Sequence, residues 1–122
     1  MSLHLRTGDA RRLELKGRTA LELLGSATPD AGVTVRIVEV APELPGAPAR
    51  PLHVHDGVGE FIWILAGAGT AMSETGPAFE AVAGEGIFVP AGERHKIVPR
   101  GEEPLRLLCV FATDDLAART RE

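Results

Sequence analysis

Three histidines and one glutamate have the residue types and the spacing that could hold a single metal ion. His53 and His55 are separated by one residue, Glu60 follows five residues after His55, and His95 comes much later in the chain. On a β-strand, residues two apart point to the same face, so the first two imidazoles can reach one ion together. Three imidazoles with one carboxylate suit Fe, Mn, Ni, Zn, Cu or Co, whereas Ca²⁺ and Mg²⁺ prefer oxygen ligands. The predicted cofactor is therefore one divalent transition metal, and its identity stays open.

Bringing these side chains together requires turns between short strands. Gly57 and Gly59 directly precede Glu60, and glycine permits a chain reversal that would let Glu60 open the neighbouring strand. A later turn at residues 91–92 would place His95 at the start of its own strand, which could lie across a barrel from the first pair.

The rest of the chain consists of short apolar runs separated by turn residues. The strands predicted from these runs cover residues 12–16, 19–24, 33–40, 52–55, 60–66, 70–72, 78–82, 87–89, 94–98 and 105–112. Four prolines in residues 42–51 predict an extended loop that leads to the first histidine pair. The tail from Thr113 is predicted as a short helix or a frayed end. Turns at this spacing are typical of an all-β sandwich or barrel.

Length and composition favour one domain in a reducing compartment. The chain has 122 residues and a formal net charge of −4 at pH 7. This mild acidity gives no reason to expect nucleic acid or a membrane as a partner, and no apolar run reaches the roughly 20 residues that span a bilayer. The one cysteine excludes an internal disulfide, and residues 1–9 lack the apolar core of a signal peptide. We therefore expect a cytoplasmic protein whose partner is a small molecule.

The metal-site residues form part of two longer motifs that resemble those of the cupin superfamily. The first motif reads His-x-His-x4-Glu-x6-Gly and ends at Gly67, and the second reads Gly-x5-Pro-x-Gly-x2-His and ends at His95. The resemblance implies an all-β, single-domain cupin jelly-roll β-barrel (double-stranded β-helix) over residues 1–122. Its core barrel would cover residues 33–112, with N-terminal strands in 1–32 and a tail in 113–122. The resemblance also implies a homodimer and the metal ligands His53, His55, Glu60 and His95.

Three positions depart from the usual cupin motifs. Ala47 stands where the first motif usually has glycine, Glu85 where the second usually has aspartate, and Pro99 where the second usually ends in asparagine. These differences affect loop geometry and strand ends, and none of them removes a predicted ligand.

Side-chain alternation predicts which residues of the Glu60 strand and of the last strand point toward the metal ligands. These predicted pocket-lining residues are Ile62, Ile64, Leu107, Cys109 and Phe111. Such a pocket would be mostly apolar and would suit a small, largely apolar organic substrate. Cys109 fits a small core residue better than a nucleophile.

Two further pairs of residues leave alternatives open. Arg36 and Glu39 have opposite parity on a central strand, so one of them could enter the pocket and bind an anionic substrate group. The alternative is a charge that faces solvent near a strand end. Phe61 and Trp63 fall on the face opposite to Glu60, where they would pack under the N-terminal strands or at a dimer interface.

The residues leave three functions open, and we favour the first. It is a metal-dependent, dioxygenase-like enzyme that acts on a small substrate beside the metal. The second is a redox-neutral isomerase, cyclase or decarboxylase whose metal polarises a carbonyl group, and the third is a non-catalytic small-molecule binder. Glu60 is predicted as a fixed ligand, with a role as catalytic base as the alternative. The chain has no tyrosine, which disfavours mechanisms that use a tyrosine acid or base.

Overall fold

The chain folds into β-strands joined by turns, and the computed structural model describes all of residues 1–122. Its strands are β1 (Arg11–Leu15), β2 (Arg18–Leu24), β3 (Thr34–Val40), β4 (Val54–His55), β5 (Glu60–Ala66), β6 (Ala68–Ser73), β7 (Gly76–Val82), β8 (Gly86–Val89), β9 (His95–Pro99), β10 (Leu105–Phe111) and β11 (Thr120–Arg121). Short 3-10 helices lie at Thr7–Asp9, Pro29–Ala31 and Ala117–Arg119. None of the helices has the length and apolar character that crossing a membrane would need. The all-β prediction is confirmed.

The larger sheet contains six strands in the order β1-β2-β3-β10-β5-β8, and its neighbouring strands are antiparallel. Side chains alternate between its two faces. Along β10, Leu107, Cys109 and Phe111 are buried, whereas Arg106 is exposed. Phe111 lies opposite Glu60 of β5. The inward face of this sheet therefore carries the apolar core together with Glu60, the predicted metal ligand on β5.

A smaller sheet with the order β7-β6-β9 covers the inward face of the larger one, and β11 pairs separately with β4. The two layers approach each other closely at Gly69 of β6. A Cβ atom at this position would lie 2.5 Å from Leu105 Cδ1 on β10, so only glycine fits there without a shift. Fifteen buried residues form the core between the layers. Ala81 and Ile97 contribute to it from the smaller sheet.

The strands predicted from the sequence agree with the structure along most of the chain, and β5 has the predicted bounds. The tail differs, because a 3-10 helix leads into β11, which pairs with β4. Arg121 also donates two hydrogen bonds of 2.8 and 3.1 Å to the carboxylate of Asp56, an exposed ion pair beside the backbone pairing of β11 with β4. The β6–β7 hairpin is also longer than predicted, since Ser73 already pairs with Gly76.

Phe61 and Trp63 point away from the interior and are 43% and 39% exposed. They do not pack under the N-terminal strands, because β1 and β2 lie at the opposite edge of the sheet. Phe88 of β8 pairs with Phe61 and is 68% exposed. These three residues form an outer aromatic patch on the larger sheet.

Candidate metal centre

The four predicted ligands lie together inside the barrel. One ligand atom from each of His53, His55, Glu60 and His95 lies within 4.8 Å of the others. Glu60 Oε1 is 2.9 Å from His95 Nε2 and 3.3 Å from His55 Nε2. His55, Glu60 and His95 are each only 5% exposed. This cluster of buried imidazoles around one carboxylate is a group that could hold a metal ion.

Backbone hydrogen bonds fix the segments that carry the histidines. His53 and His95 form an antiparallel bridge, with N–O distances of 3.0 and 2.8 Å in the two directions. The amide of Gly92 donates to the carbonyl of His55 at 2.9 Å. Gly92 has a φ of 82°, a left-handed conformation that glycine adopts at little cost. The turn at residues 91–92 therefore ties the two histidine segments to each other.

Hydrogen bonds on the outer side of two imidazoles determine which nitrogen faces the centre. The hydroxyl of Thr120 donates to Leu116 O at 2.8 Å, so it accepts a hydrogen bond from His55 Nδ1, 3.0 Å away. His95 Nδ1 donates to Glu93 O at 2.9 Å. Both Nε2 atoms therefore face inward. His55 Nε2 is buried and has no hydrogen-bond partner, and an inward lone pair of this kind fits a metal ligand.

The electrostatics of the metal-free cluster favour an anionic carboxylate. Burial alone would raise the pKa of Glu60, but the close imidazoles of His55 and His95 outweigh burial and lower the pKa to about 2. Burial lowers the pKa of His95. Its hydrogen bond to Glu60 and the negative charge of that carboxylate together have the larger effect, so the pKa of His95 is raised. Burial and the neighbouring charge of His95 lower the pKa of His53 to about 3. His53 is therefore neutral at pH 7 and ready to coordinate.

A cavity opens directly onto this cluster. Its volume is about 70 Å³, and nine of its 17 lining residues are hydrophobic. Of the predicted pocket residues, those that line it are Ile62, Leu107, Cys109 and Phe111. Ile64 does not line it, because it lies one inward position further along β5 and is fully buried in the core. Burial and the nearby Glu60 carboxylate raise the pKa of the Cys109 thiol well above its usual value, so this thiol is neutral.

The cavity wall is more polar than the sequence pattern predicts. Arg18, Arg36 and Arg50 all line it, as does Thr120, whereas Glu39 is exposed. The sequence left open whether Arg36 or Glu39 enters the pocket. Arg36 has the same parity along the strand as the buried Val38 and Val40, and this could have decided for Arg36. Arg18 likewise shares the parity of the buried Ala20. No local signal marks Arg50 or Thr120, because each reaches the cavity through long-range contacts.

Comparison with known proteins agrees with this architecture. Residues 43–111 match the family described as Cupin domain, and no curated protein matches the chain. A sugar phosphate isomerase of the cupin superfamily from Silicibacter pomeroyi is 25% identical, with a TM-score of 0.65 over 89% of this chain and 74% of that one.

Two further solved structures have the same fold. The polyketide cyclase RemF from Streptomyces resistomycificus is 25% identical, with a TM-score of 0.70 over 91% of this chain and 79% of that one. Ectoine synthase from P. lautus is 13% identical, with a TM-score of 0.76 over 98% of this chain and 88% of that one. The predicted jelly-roll fold is confirmed, and the chain belongs to the cupin family.

Proposed function

We propose that the protein is a metal-dependent enzyme that converts a small organic molecule at a centre formed by His53, His55, Glu60 and His95. The observation that carries this proposal is the convergence of their four ligand atoms within 4.8 Å, with His55 Nε2 buried and unpartnered. A buried polar atom without a partner costs about 1–3 kcal/mol. Coordination of a metal ion would give that nitrogen a partner and remove this cost.

The side chains of the centre have separate roles in this proposal. When bound, a divalent transition metal supplies a Lewis acid that polarises a substrate oxygen atom. Glu60 acts as a ligand, since its low pKa makes it a weak proton acceptor. Thr120 and the Glu93 carbonyl hold the imidazoles of His55 and His95 in orientation. Ile62 and Phe111 give the cavity an apolar side, against which the carbon atoms of a substrate would pack.

Metal content tests the proposal directly. We would purify the protein without a chelator or a histidine tag and measure bound metals by elemental mass spectrometry. We expect about one equivalent of a transition metal in the native protein and a loss of most of it in His55→Ala. His4→Ala is the matched control, because His4 is an exposed residue outside the cluster, and it should keep the metal. A native protein that binds no metal even after reconstitution would refute the proposal.

For the reaction class, we propose redox-neutral chemistry of the isomerase, cyclase or lyase type. Two observations support it: the two relatives at 25% identity carry the names of an isomerase and a cyclase, and arginines give the cavity a polar side. A dioxygenase-like oxidoreductase is the second candidate, favoured by the hydrophobic lining residues. Turnover without oxygen would support the first. Turnover that consumes one O₂ per product would establish the second.

We also propose a cytoplasmic homodimer. The outer aromatic patch of Phe61, Trp63 and Phe88 supports a second copy of the chain as partner, since these side chains are apolar and 39–68% exposed. Light scattering should give twice the chain mass, and Phe88→Ser should shift it toward the monomer. Phe79→Ser is the control, because Phe79 is 50% exposed on the other sheet. A native protein that is monomeric at high concentration would contradict the dimer.

A further inference from the structure

Two cavity arginines have no carboxylate partner. Arg36 is neutralised by Glu22, whose Oε1 atom lies 3.0 Å from both Nε and Nη2 of the guanidinium. Arg18 and Arg50 form no ion pair within the chain. Arg18 donates from Nη1 to the carbonyl of Lys16 at 3.2 Å, and Arg50 donates from Nη2 to a carbonyl of β9 at 2.6 Å. Most of their donor groups are therefore free to bind a ligand.

Arg50 is held in place by a part-buried network between the loop that precedes the histidines and β9. Its amide donates to Glu43 Oε1 at 2.7 Å, and its carbonyl accepts from Lys96 Nζ at 2.8 Å. Lys96 and Glu43 also pair with each other at 2.9 Å. Gly17 leaves room for the arginine stem, because a Cβ atom there would lie 2.1 Å from Arg50 Cδ. This arrangement positions a cation at the cavity rather than in solvent.

The paired cations carry an electrostatic cost that a ligand can relieve. Burial lowers the pKa of both Arg18 and Arg50. At Arg50 the Glu43 carboxylate offsets part of this effect, whereas the charge of Arg18 adds to it. The Nε atom of Arg50 is buried with no hydrogen-bond partner at all. Glu60 offsets part of the charge on Arg18, but in the proposed function its carboxylate is also a metal ligand. An anion bound in the cavity beside the two guanidinium groups would offset this charge.

We propose that Arg18 and Arg50 bind the carboxylate of a small organic acid, which makes the substrate of the proposed metal-dependent reaction an acid rather than a largely apolar molecule. The inference rests on the proposed function, in which the metal centre binds a second group of the same molecule. Arginine suits this role because its planar guanidinium forms paired, charge-assisted hydrogen bonds with carboxylates.

The lining of the cavity suits the carbon skeleton of a small organic acid. Beside the arginines, its wall carries the apolar side chains of Ile62, Leu107 and Phe111, against which carbon atoms pack favourably. A molecule with a carboxylate at the arginines and its carbon skeleton on the apolar side would use both parts of this wall.

Ligand-induced stabilisation tests this inference without an activity assay. The probes are mono-carboxylic, 2-hydroxy and 2-oxo acids of two to five carbons, each compared with its neutral primary amide of the same shape. Melting temperatures of the metal-loaded protein identify the acids that bind, and calorimetry gives their dissociation constants. We expect at least one acid to stabilise the native protein while its amide does not. Arg18→Gln should weaken binding of that acid by roughly 10- to 100-fold.

Two variants keep the test decisive. Arg12→Gln is the control, because Arg12 lies exposed on β1 outside the cavity and should leave binding unchanged. Arg18→Lys serves if Arg18→Gln does not fold, and it should weaken binding less, since it keeps the charge but loses the paired geometry. Acids that bind no better than their amides, or equally to both Arg18 variants and the native protein, would overturn the inference. Full metal content in that case would leave the proposed function standing, whereas a metal-free native protein would refute the function itself.

Discussion

Gly17→Ala should damage the protein by displacing Arg50, and the chain contains a glycine that separates this effect from simple backbone strain. Gly17 joins β1 to β2 with a φ of 67°, and an added Cβ atom would lie 2.1 Å from Arg50 Cδ and 2.9 Å from Arg50 Cγ and Nε. Gly32 has the same φ of 67°, but nothing lies within 4 Å of its added Cβ atom. Both alanine variants therefore place a Cβ atom on a residue in the left-handed conformation. Only in Gly17→Ala does that atom also clash with a neighbouring side chain.

The magnitudes follow from this geometry. A left-handed alanine costs about 1–2 kcal/mol, so Gly32→Ala should lower the free energy of unfolding by about that amount. Gly17→Ala should also break the 2.6 Å hydrogen bond from Arg50 to the carbonyl of Ile97, because the middle of the side chain must move. A hydrogen bond from a charged donor contributes about 1.5–3 kcal/mol. The two variants should therefore differ by about 1.5–3 kcal/mol.

Urea unfolding followed by the fluorescence of Trp63, the one tryptophan of the chain, measures both free energies. The same comparison in an Arg50→Ala background provides the control, since removal of the side chain should make the two glycine substitutions equally costly. Equal losses in the native background would refute the reasoning, because they would show that Arg50 gives way without cost.

Two further predictions concern the metal centre. Thr120→Val should weaken metal affinity by about 10- to 100-fold in a chelator competition, because His55 Nδ1 loses its acceptor; unchanged affinity would show that the hydroxyl does not orient the ring. The metal-free protein should lose stability as the pH falls from 6.5 to 4.5, since unfolded His53 takes up a proton near 6.5 and folded His53 only near a pKa of about 3. This residue contributes at most about 1.4 kcal/mol per pH unit. His53→Asn should flatten the slope measured by urea unfolding at each pH, and an identical slope would contradict the assignment.

The sequence was sufficient to predict how His53, His55 and Glu60 converge because the determinants of this convergence are local. Strand alternation places His53 and His55 on one side, and Gly57 and Gly59 allow the reversal that brings Glu60 beside them. His95 joins them by pairing with His53 across the barrel, and the sequence predicted this only through the expected barrel and the resemblance to cupins. Burial along β10 followed from alternation alone.

The remaining features depend on contacts between distant parts of the chain. Arg50 enters the cavity because Lys96 and Glu43 fix its loop, and Thr120 reaches His55 because β11 pairs with β4. Neither contact leaves a periodic trace in the sequence. Alternation also predicts which face of the sheet a side chain is on, but not how far along the strand the cavity extends. Ile64 therefore points inward as predicted, yet it lies in the core beyond the cavity.

The network of Glu43, Lys96 and Arg50 determines how rarely the loop beside the cavity opens. Opening the proline-rich loop at residues 42–51 would break three charge-assisted hydrogen bonds between this loop and β9. At about 1.5 kcal/mol each, the open state would be populated in roughly one molecule in two thousand. The amide proton of Arg50 should therefore exchange with solvent roughly two thousand times more slowly than an unprotected amide. On this basis the loop is a fixed wall of the cavity, and a ligand enters and leaves past other residues.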